Sequence, residues 1–414
     1  MPQLRNGWLG SNRVHTWFVV LLCVECVVFA WLVAGTRGWI IPLLTPNSTD
    51  FVSFYAAGAL AWDGAAALAY DHSAHYAAEQ AATEAGIPYQ FFFYPPMLLI
   101  FLAPLSRLPY LASFYLFEAV TLTFYCLSVK PLIANRGRAW WVSVLAFPSV
   151  FWTLGLGQNT FLTAALFATG LRILKRWPFF AGMLLGTLCY KPHLGLLIPV
   201  ALLAGRHYWA FLGAATTVGF LVLTSVAAFG IEPWLAFLNH ALAESDVFST
   251  GRIDLGGVVT PFAAMRLLGA PRWLAGTVQL AAGCIAAVIV WRTWRRPGPA
   301  GARNATLLAA TLLAAPVLLL YDLVIAHLTL MWLLSLPTTR TLPKWQVLIV
   351  ALAYVTPIMC RPLATFTHIQ IGPAVAVCLL AWAFTCRQSG SQPDLDLRLK
   401  TEAASVQRDS ATAI

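Results

Sequence analysis

The sequence predicts an all-α polytopic membrane protein, and three observations carry that prediction. The 414 residues are 59% hydrophobic and only 10% charged, where a soluble domain carries about a quarter charged residues. Apolar runs recur along nearly the whole chain, so the helices themselves, not one anchor, cross the bilayer. Those runs are continuous instead of alternating, which argues against a β-barrel. The count expected is about 12 transmembrane helices, roughly 10–13.

Taken in order, the chain begins with Arg5 and Arg13 before an apolar run from about Trp17 to Ala34. No small-residue cleavage pattern follows, and the run is long enough to span. It reads as an uncleaved first helix behind a cytoplasmic segment, residues 1–16. Residues 36–93 are less hydrophobic and hold five of the 16 acids: Asp50, Asp63, Asp71, Glu79 and Glu84. With the N-terminus inside, this is a large outer loop, with amphipathic helices expected over 49–62 and 73–86 around a turn at Asp63-Gly64. From Ala139 onward, spans are expected near 139–156, 159–174, 179–191, 192–204, 208–229, 273–291, 305–320, 323–336, 345–360 and 363–386. One transmembrane domain, 17–386, is therefore followed by a Ser-, Asp-, Gln- and Ala-rich tail, 387–414, expected to be disordered and cytoplasmic.

Two stretches resist simple counting. Residues 91–129 are long enough for two short helices broken at Leu108-Pro109, so they cross either once or twice. Residues 179–205 must hold two passes, yet those 27 residues reach only about 40 Å as helix, against roughly 60 Å for two crossings. Lys191-Pro192 is therefore expected below the membrane surface, where broken backbone is tolerated only in protein or along a wet cavity.

The net charge is +10. The bases gather in short connections (Arg136 and Arg138, Lys175 and Arg176, Arg292 to Arg303, Arg340 and Lys344), which is the positive-inside bias. Basic residues interleaved with aromatics are missing, so nucleic acid is not an expected partner. The eight cysteines lie in or beside apolar runs with no metal-ligand spacing, predicting neither a disulfide framework nor a zinc site. No dinucleotide, Walker, zinc-protease or GxSxG motif occurs.

Five short stretches can carry chemistry. Asp50, in Asn47-Ser-Thr-Asp-Phe-Val-Ser-Phe-Tyr55, is either a helix N-cap or a functional acid; membrane-proximal acids are costly. Tyr94, in Phe91-Phe-Phe-Tyr-Pro-Pro96, is either an interfacial aromatic or a hydroxyl donor to a ligand. Gln158 and Asn159 stand beside Gly155 and Gly157 and either cap helices or touch a ligand. Lys191 is the sole lysine between positions 177 and 343; it either snorkels or offers an ammonium to a phosphate. His193 follows it, and either assists or packs. Tyr321 and Asp322 are embedded in apolar sequence, with His327 five residues on; a structural Asp322–Lys or Asp322–Arg pair is the alternative there. Glu118, Glu232 and Arg361 have weaker context.

The order of these stretches, from Asp50-Phe51 … Tyr55-Ala-Ala-Gly58 and Ala69-Tyr-Asp71 through Tyr94-Pro-Pro96, Ala103-Pro-Leu105, Gly157-Gln-Asn159 and Lys191-Pro192 to Tyr321-Asp322, resembles glycosyltransferase family 87. The resemblance covers about residues 15–380 and implies a GT-C-like fold. It implies transfer of a hexose, mannose being the usual expectation, from a polyprenyl-phosphate-sugar to a glycolipid or glycan acceptor, with inversion. Asp50 would be the general base. Lys191, Gln158, Tyr94 and His193 would hold the donor, and Tyr55, Asn159, Tyr321 and Asp322 would line the cavity. No cofactor or divalent metal is indicated, a monomer is expected, and the site would face the exterior of the cell membrane. The chain departs from many relatives at Leu318-Leu-Leu320 and at His193. A transporter or lipid-linked-sugar flippase is the competing reading; it expects inverted repeats, which the sequence does not display.

Overall fold

A computed structural model describes residues 12–35, 49–133, 140–243, 254–336 and 342–389. The expectations for the first eleven residues, the basic segment 134–138 and the tail beyond 389 lie outside the described residues. Most of those described are helical, and no β-strand forms among them.

The chain opens with α1 (Asn12–Gly35). Next come α2 (Phe51–Trp62), a 3₁₀ turn over Ala66–Tyr70, and α3 (His72–Ala82). At about 1.5 Å per residue, α2 is far shorter than a bilayer core. It is not amphipathic as expected: only Ser53, Tyr55 and the terminal Trp62 carry polar side-chain atoms, and α2 is enclosed by α3, α4 (Leu99–Leu105) and α5 (Tyr110–Ile133). α3 ends at Ala82, earlier than expected, since the chain must turn at Gly86, where φ is +79°. α4 with its leading turn Pro96–Leu98 is too short to cross, while α5 has 24 residues. The stretch 91–129 therefore contains one full-length helix.

The next helices are α6 (Trp140–Leu145), α7 (Pro148–Leu156), α8 (Thr160–Ile173) and α9 (Pro178–Thr187). The expected break follows: a 3₁₀ turn Leu188–Tyr190, then Lys191, then α10 (Pro192–Gly195) and α11 (Ile198–Ala204). Beyond lie α12 (Tyr208–Phe229), α13 (Glu232–Ala243), α14 (Pro261–Leu267), α15 (Arg272–Arg295) and α16 (Ala300–Ala314). After a 3₁₀ turn Leu320–Leu323 come α17 (Val324–Leu334), α18 (Lys344–Thr367) and α19 (Gly372–Ser389). Three expectations differ. The single span expected over 139–156 is broken at Ala146-Phe147, ahead of Pro148, into α6 and α7. The span expected to reach 320 ends at Ala314. The break expected at Arg361-Pro362 is absent: α18 continues to Thr367 and turns at His368, φ +59°, because a helix packed among neighbours tolerates an internal proline.

α5, α12, α15 and α18 are long and apolar enough to cross a bilayer alone. α12 and α15 turn Phe220, Leu223, Trp273 and Leu280 outward, as lipid-facing helices do. α17 is the opposite, buried at every residue. α9 presents Gly182 and Gly186, a GxxxG pair, to α12. A Cβ on Gly182 would overlap the Ala210 carbonyl, and one on Gly186 would stand 2.6 Å from the Ala214 carbonyl oxygen. That close backbone approach replaces the hydrophobic drive that lipid cannot supply.

Candidate active site

Interruptions in helical structure converge on one cavity of about 500 Å³, within the ~300–1,000 Å³ typical of ligand clefts. The interruptions are the start of α2 at Asp50, the α7–α8 turn, the α9–α10 break, and the non-helical stretch before α17. The irregular chain Tyr89–Tyr94 adds a further wall.

Asp50 occupies the N-cap position of α2, yet its side chain makes no capping bond. The carboxylate turns instead to Gln158, whose Nε2 donates to Oδ2 at 2.8 Å. Gln158 Oε1 accepts from the Tyr94 hydroxyl at 3.4 Å, which fixes the amide orientation. Gly157 makes this approach feasible: its φ is +70°, and a Cβ there would stand 2.5 Å from the Phe51 Cβ and 2.7 Å from the Phe114 ring. Burial raises the Asp50 carboxyl from 3.8 to about 6, opposed by the Gln158 bond and then the Lys191 charge. A carboxylate so placed is a competent proton acceptor near neutral pH.

Lys191 reaches the cavity from the α9–α10 break and is 3% exposed. Its Nζ lies 2.9 Å from Asp322 Oδ1, and the partner is equally buried. Asp322 also accepts from Thr160 Oγ1 at 3.0 Å and from the Leu319 backbone N–H at 3.2 Å. The structural-pair alternative for Asp322 is thus realised, with Lys191 as the partner. The pair still faces the cavity: Nζ lies 5.4 Å from the Tyr321 ring centroid and 6.0 Å from that of Tyr94, so both rings attract the same ammonium.

His193 lines the cavity, and Tyr94 and Tyr321 do as well. Two of the residues that the family resemblance assigns to the cavity wall, Tyr55 and Asn159, fall outside the lining. Tyr55 points from α2 towards the Leu108 carbonyl, to which its hydroxyl donates at 3.0 Å; one residue of helical rotation separates it from Phe54, which does line the cavity. Asn159 is buried behind the wall. Its amide acts on the Tyr94 hydroxyl but makes no hydrogen bond of standard geometry among the described residues. His327 is a core residue, 2.7 Å from the Tyr125 hydroxyl and stacked on Phe147. Glu118 and Glu232 lie away from the cavity, whereas Arg361 lines it, as do Ser53, Trp152 and Asp254, which sequence reasoning missed.

Behind the irregular wall sits a buried pair on α3. His75 Nε2 is 3.1 Å from the Ser53 carbonyl oxygen, and Glu79 accepts from the Gln90 backbone N–H at 3.1 Å. The Ser53 carbonyl and the Gln90 N–H that these two side chains hold both belong to cavity-lining residues. Burial pushes the Glu79 carboxyl up to about 8, against the Gln90 bond and with a smaller push from Asp50. Asp71, by contrast, is a plain helix cap, accepting from Ala74 N–H at 2.9 Å. Among the described residues, no three His, Cys, Asp or Glu side chains gather as a metal-ligand group.

Among protein-family models, the one for glycosyltransferase family 87 matches residues 92–320, more than half of the chain. The matched span contains Tyr94, Gln158, Lys191 and His193, starts after Asp50 and ends one residue before Tyr321. Curated proteins and solved structures give no match.

Proposed function

Because the chain belongs to glycosyltransferase family 87, we propose that it transfers a hexose, with mannose the first sugar to test, from a polyprenyl-phosphate-sugar to a glycolipid or glycan acceptor, at the outer face of the cell membrane. Asp50 is the base. An acceptor hydroxyl oxygen attacks the anomeric carbon from the face opposite the phosphate, and its proton passes to Asp50. The new carbon–oxygen bond forms as the anomeric carbon–phosphate oxygen bond breaks. The polyprenyl phosphate leaves with the electron pair, and the sugar inverts.

The observation that carries this reading is the Asp50–Gln158–Tyr94 chain standing in one cavity with the Lys191–Asp322 pair. Gln158 orients the carboxylate. Lys191 spends one of its three N–H donors on Asp322 and has others for the departing phosphate oxygen. A lipid-borne donor is supported by a second, largely apolar cavity of about 750 Å³ between α10, α13, α14, α15 and the end of α16, which shares Phe93, His193 and Val317 with the first. That groove suits a prenyl tail, while the polar cavity suits the sugar.

The test is reconstituted Asp50→Asn, supplied with a polyprenyl-phosphate-hexose and envelope glycolipids. Transfer falls by at least about 10³-fold, at the upper end of general-base effects, with the fold retained. Wild-type-like turnover by the variant removes Asp50 as base. Translocation of the labelled donor without any covalent product would favour a transporter instead.

A further inference from the structure

The polar cavity is lined by three carboxylates, Asp50, Asp254 and Asp322, and by two cations, Lys191 and Arg361. A phosphodiester anion entering it meets an excess of negative charge whenever Asp50 is ionised, so it needs a cation that can change partners. The two cations are not equivalent. Lys191 and Asp322 are almost wholly buried, 3% and 2% exposed at their side chains, and Asp322 is fixed by two further donors. Pulling such a pair apart strands an uncompensated buried charge. Arg361 and Asp254 are 54% and 51% exposed, and a solvent-exposed pair holds together only weakly.

The Arg361–Asp254 bond also leaves most of the guanidinium unused. Only Nε is engaged, with Asp254 Oδ2 at 2.8 Å, and no described residue bonds Nη1 or Nη2. A guanidinium presents five N–H donors in a fork that matches two oxygens of one phosphate. Its base is rigid. Arg361 belongs to α18, one turn beyond Pro357, whose carbonyl accepts from the cavity-lining Trp152 indole at 3.1 Å. Asp254 accepts from Gly256 N–H at 2.9 Å, and the next residues are tied to the cavity rim by the Val259 N–H to Leu318 carbonyl bond at 2.8 Å. The Gln370 amide pins the same segment at the Gly256 and Val258 carbonyls.

We propose that Arg361, parked on Asp254 at the cavity mouth, is a phosphodiester-binding residue that releases Asp254 to grip a lipid-linked phosphate. This rests on the transferase reading above and adds to it the anion subsite. The phosphate is that of the polyprenyl donor or that of an anionic lipid acceptor, since both present the same two oxygens.

The test uses the full chain in zwitterionic nanodiscs, as wild type, Arg361→Gln, Arg361→Lys and Asp254→Asn. Binding of a prenyl monophosphate and of phosphatidylinositol is measured for each, followed by donor and acceptor KM in hexosyl transfer. Arg361→Gln weakens one phosphate ligand at least tenfold and raises the matching KM, with kcat changed much less. Arg361→Lys recovers part of the loss, and Asp254→Asn binds no worse than wild type because the guanidinium starts free. Which ligand and which KM respond assigns the phosphate to donor or acceptor. Should Arg361→Gln bind both probes and turn over as wild type does, Arg361 is not the subsite and the transferase stands. Should wild type bind neither probe and transfer no hexose, the transferase reading falls, and this subsite with it.

Discussion

At the scale of single residues, the site depends on how Asp50 is held. Gln158 bonds the ionised carboxylate and so opposes the upward push of burial. Replacing Gln158 with Leu removes that opposition. The acid limb of kcat/KM, near pH 6 in wild type, should move up by about half a unit or more, with a lower plateau because the base loses its orientation. A limb that stays put would mean that another group titrates. The same carboxyl bears on stability. Its folded value is raised from 3.8 to about 6, so between those values the folded chain keeps a proton that the unfolded chain has released. Its contribution to stability is then full below the unfolded value and is lost as pH rises through the folded one. Asp50→Asn carries no such charge. Above pH 6 it should be more stable than wild type, by an amount on the order of 1–3 kcal/mol, and so melt higher, while being inactive. Equal melting of the two proteins at pH 8 would contradict the burial argument.

At the scale of elements, the Lys191–Asp322 bond joins two breaks, the one between α9 and α10 and the one before α17. Asp322→Asn leaves the ammonium buried without a counter-charge and should cost about 3–5 kcal/mol, seen as a lower thermal midpoint in detergent. The double change Lys191→Met with Asp322→Leu removes both charges; it should regain most of that midpoint yet stay inactive, since no ammonium remains for the phosphate. Recovery of transfer in the double variant would reduce the pair to scaffold. Element lengths explain what could be read in the sequence here. Lys191 was legible because two passes do not fit into residues 179–205, a constraint that holds whatever the packing. Arg361 had only weak context because Pro362 reads locally as a break, and only the neighbours of α18 show that the helix continues. Asp254 and Trp152 left no signal, since their importance comes from chain segments far apart in sequence meeting at one rim.

At the scale of the whole molecule, helices and apolar segments followed from composition, but the adjacency of two cavities did not, because it depends on how α10 and α13 to α16 lean on one another. The wall shared by Phe93, His193 and Val317 divides a polar chamber from an apolar groove, which is the partition a sugar on a prenyl chain requires. Gly276 offers a probe of that partition. It lines the groove on α15, and a Cβ added there meets nothing within 4 Å, so a larger residue starts into the groove without a clash at the helix. Gly276→Trp should therefore lower kcat/KM for a long-chain polyprenyl-phosphate-hexose about tenfold or more, through KM, because each buried methylene is worth about 0.8 kcal/mol. A donor with only one or two isoprene units does not reach the groove and should be used equally by variant and wild type. Equal loss with both donors would point to a distorted polar chamber, and no loss with either would place the prenyl chain elsewhere on the helical surface.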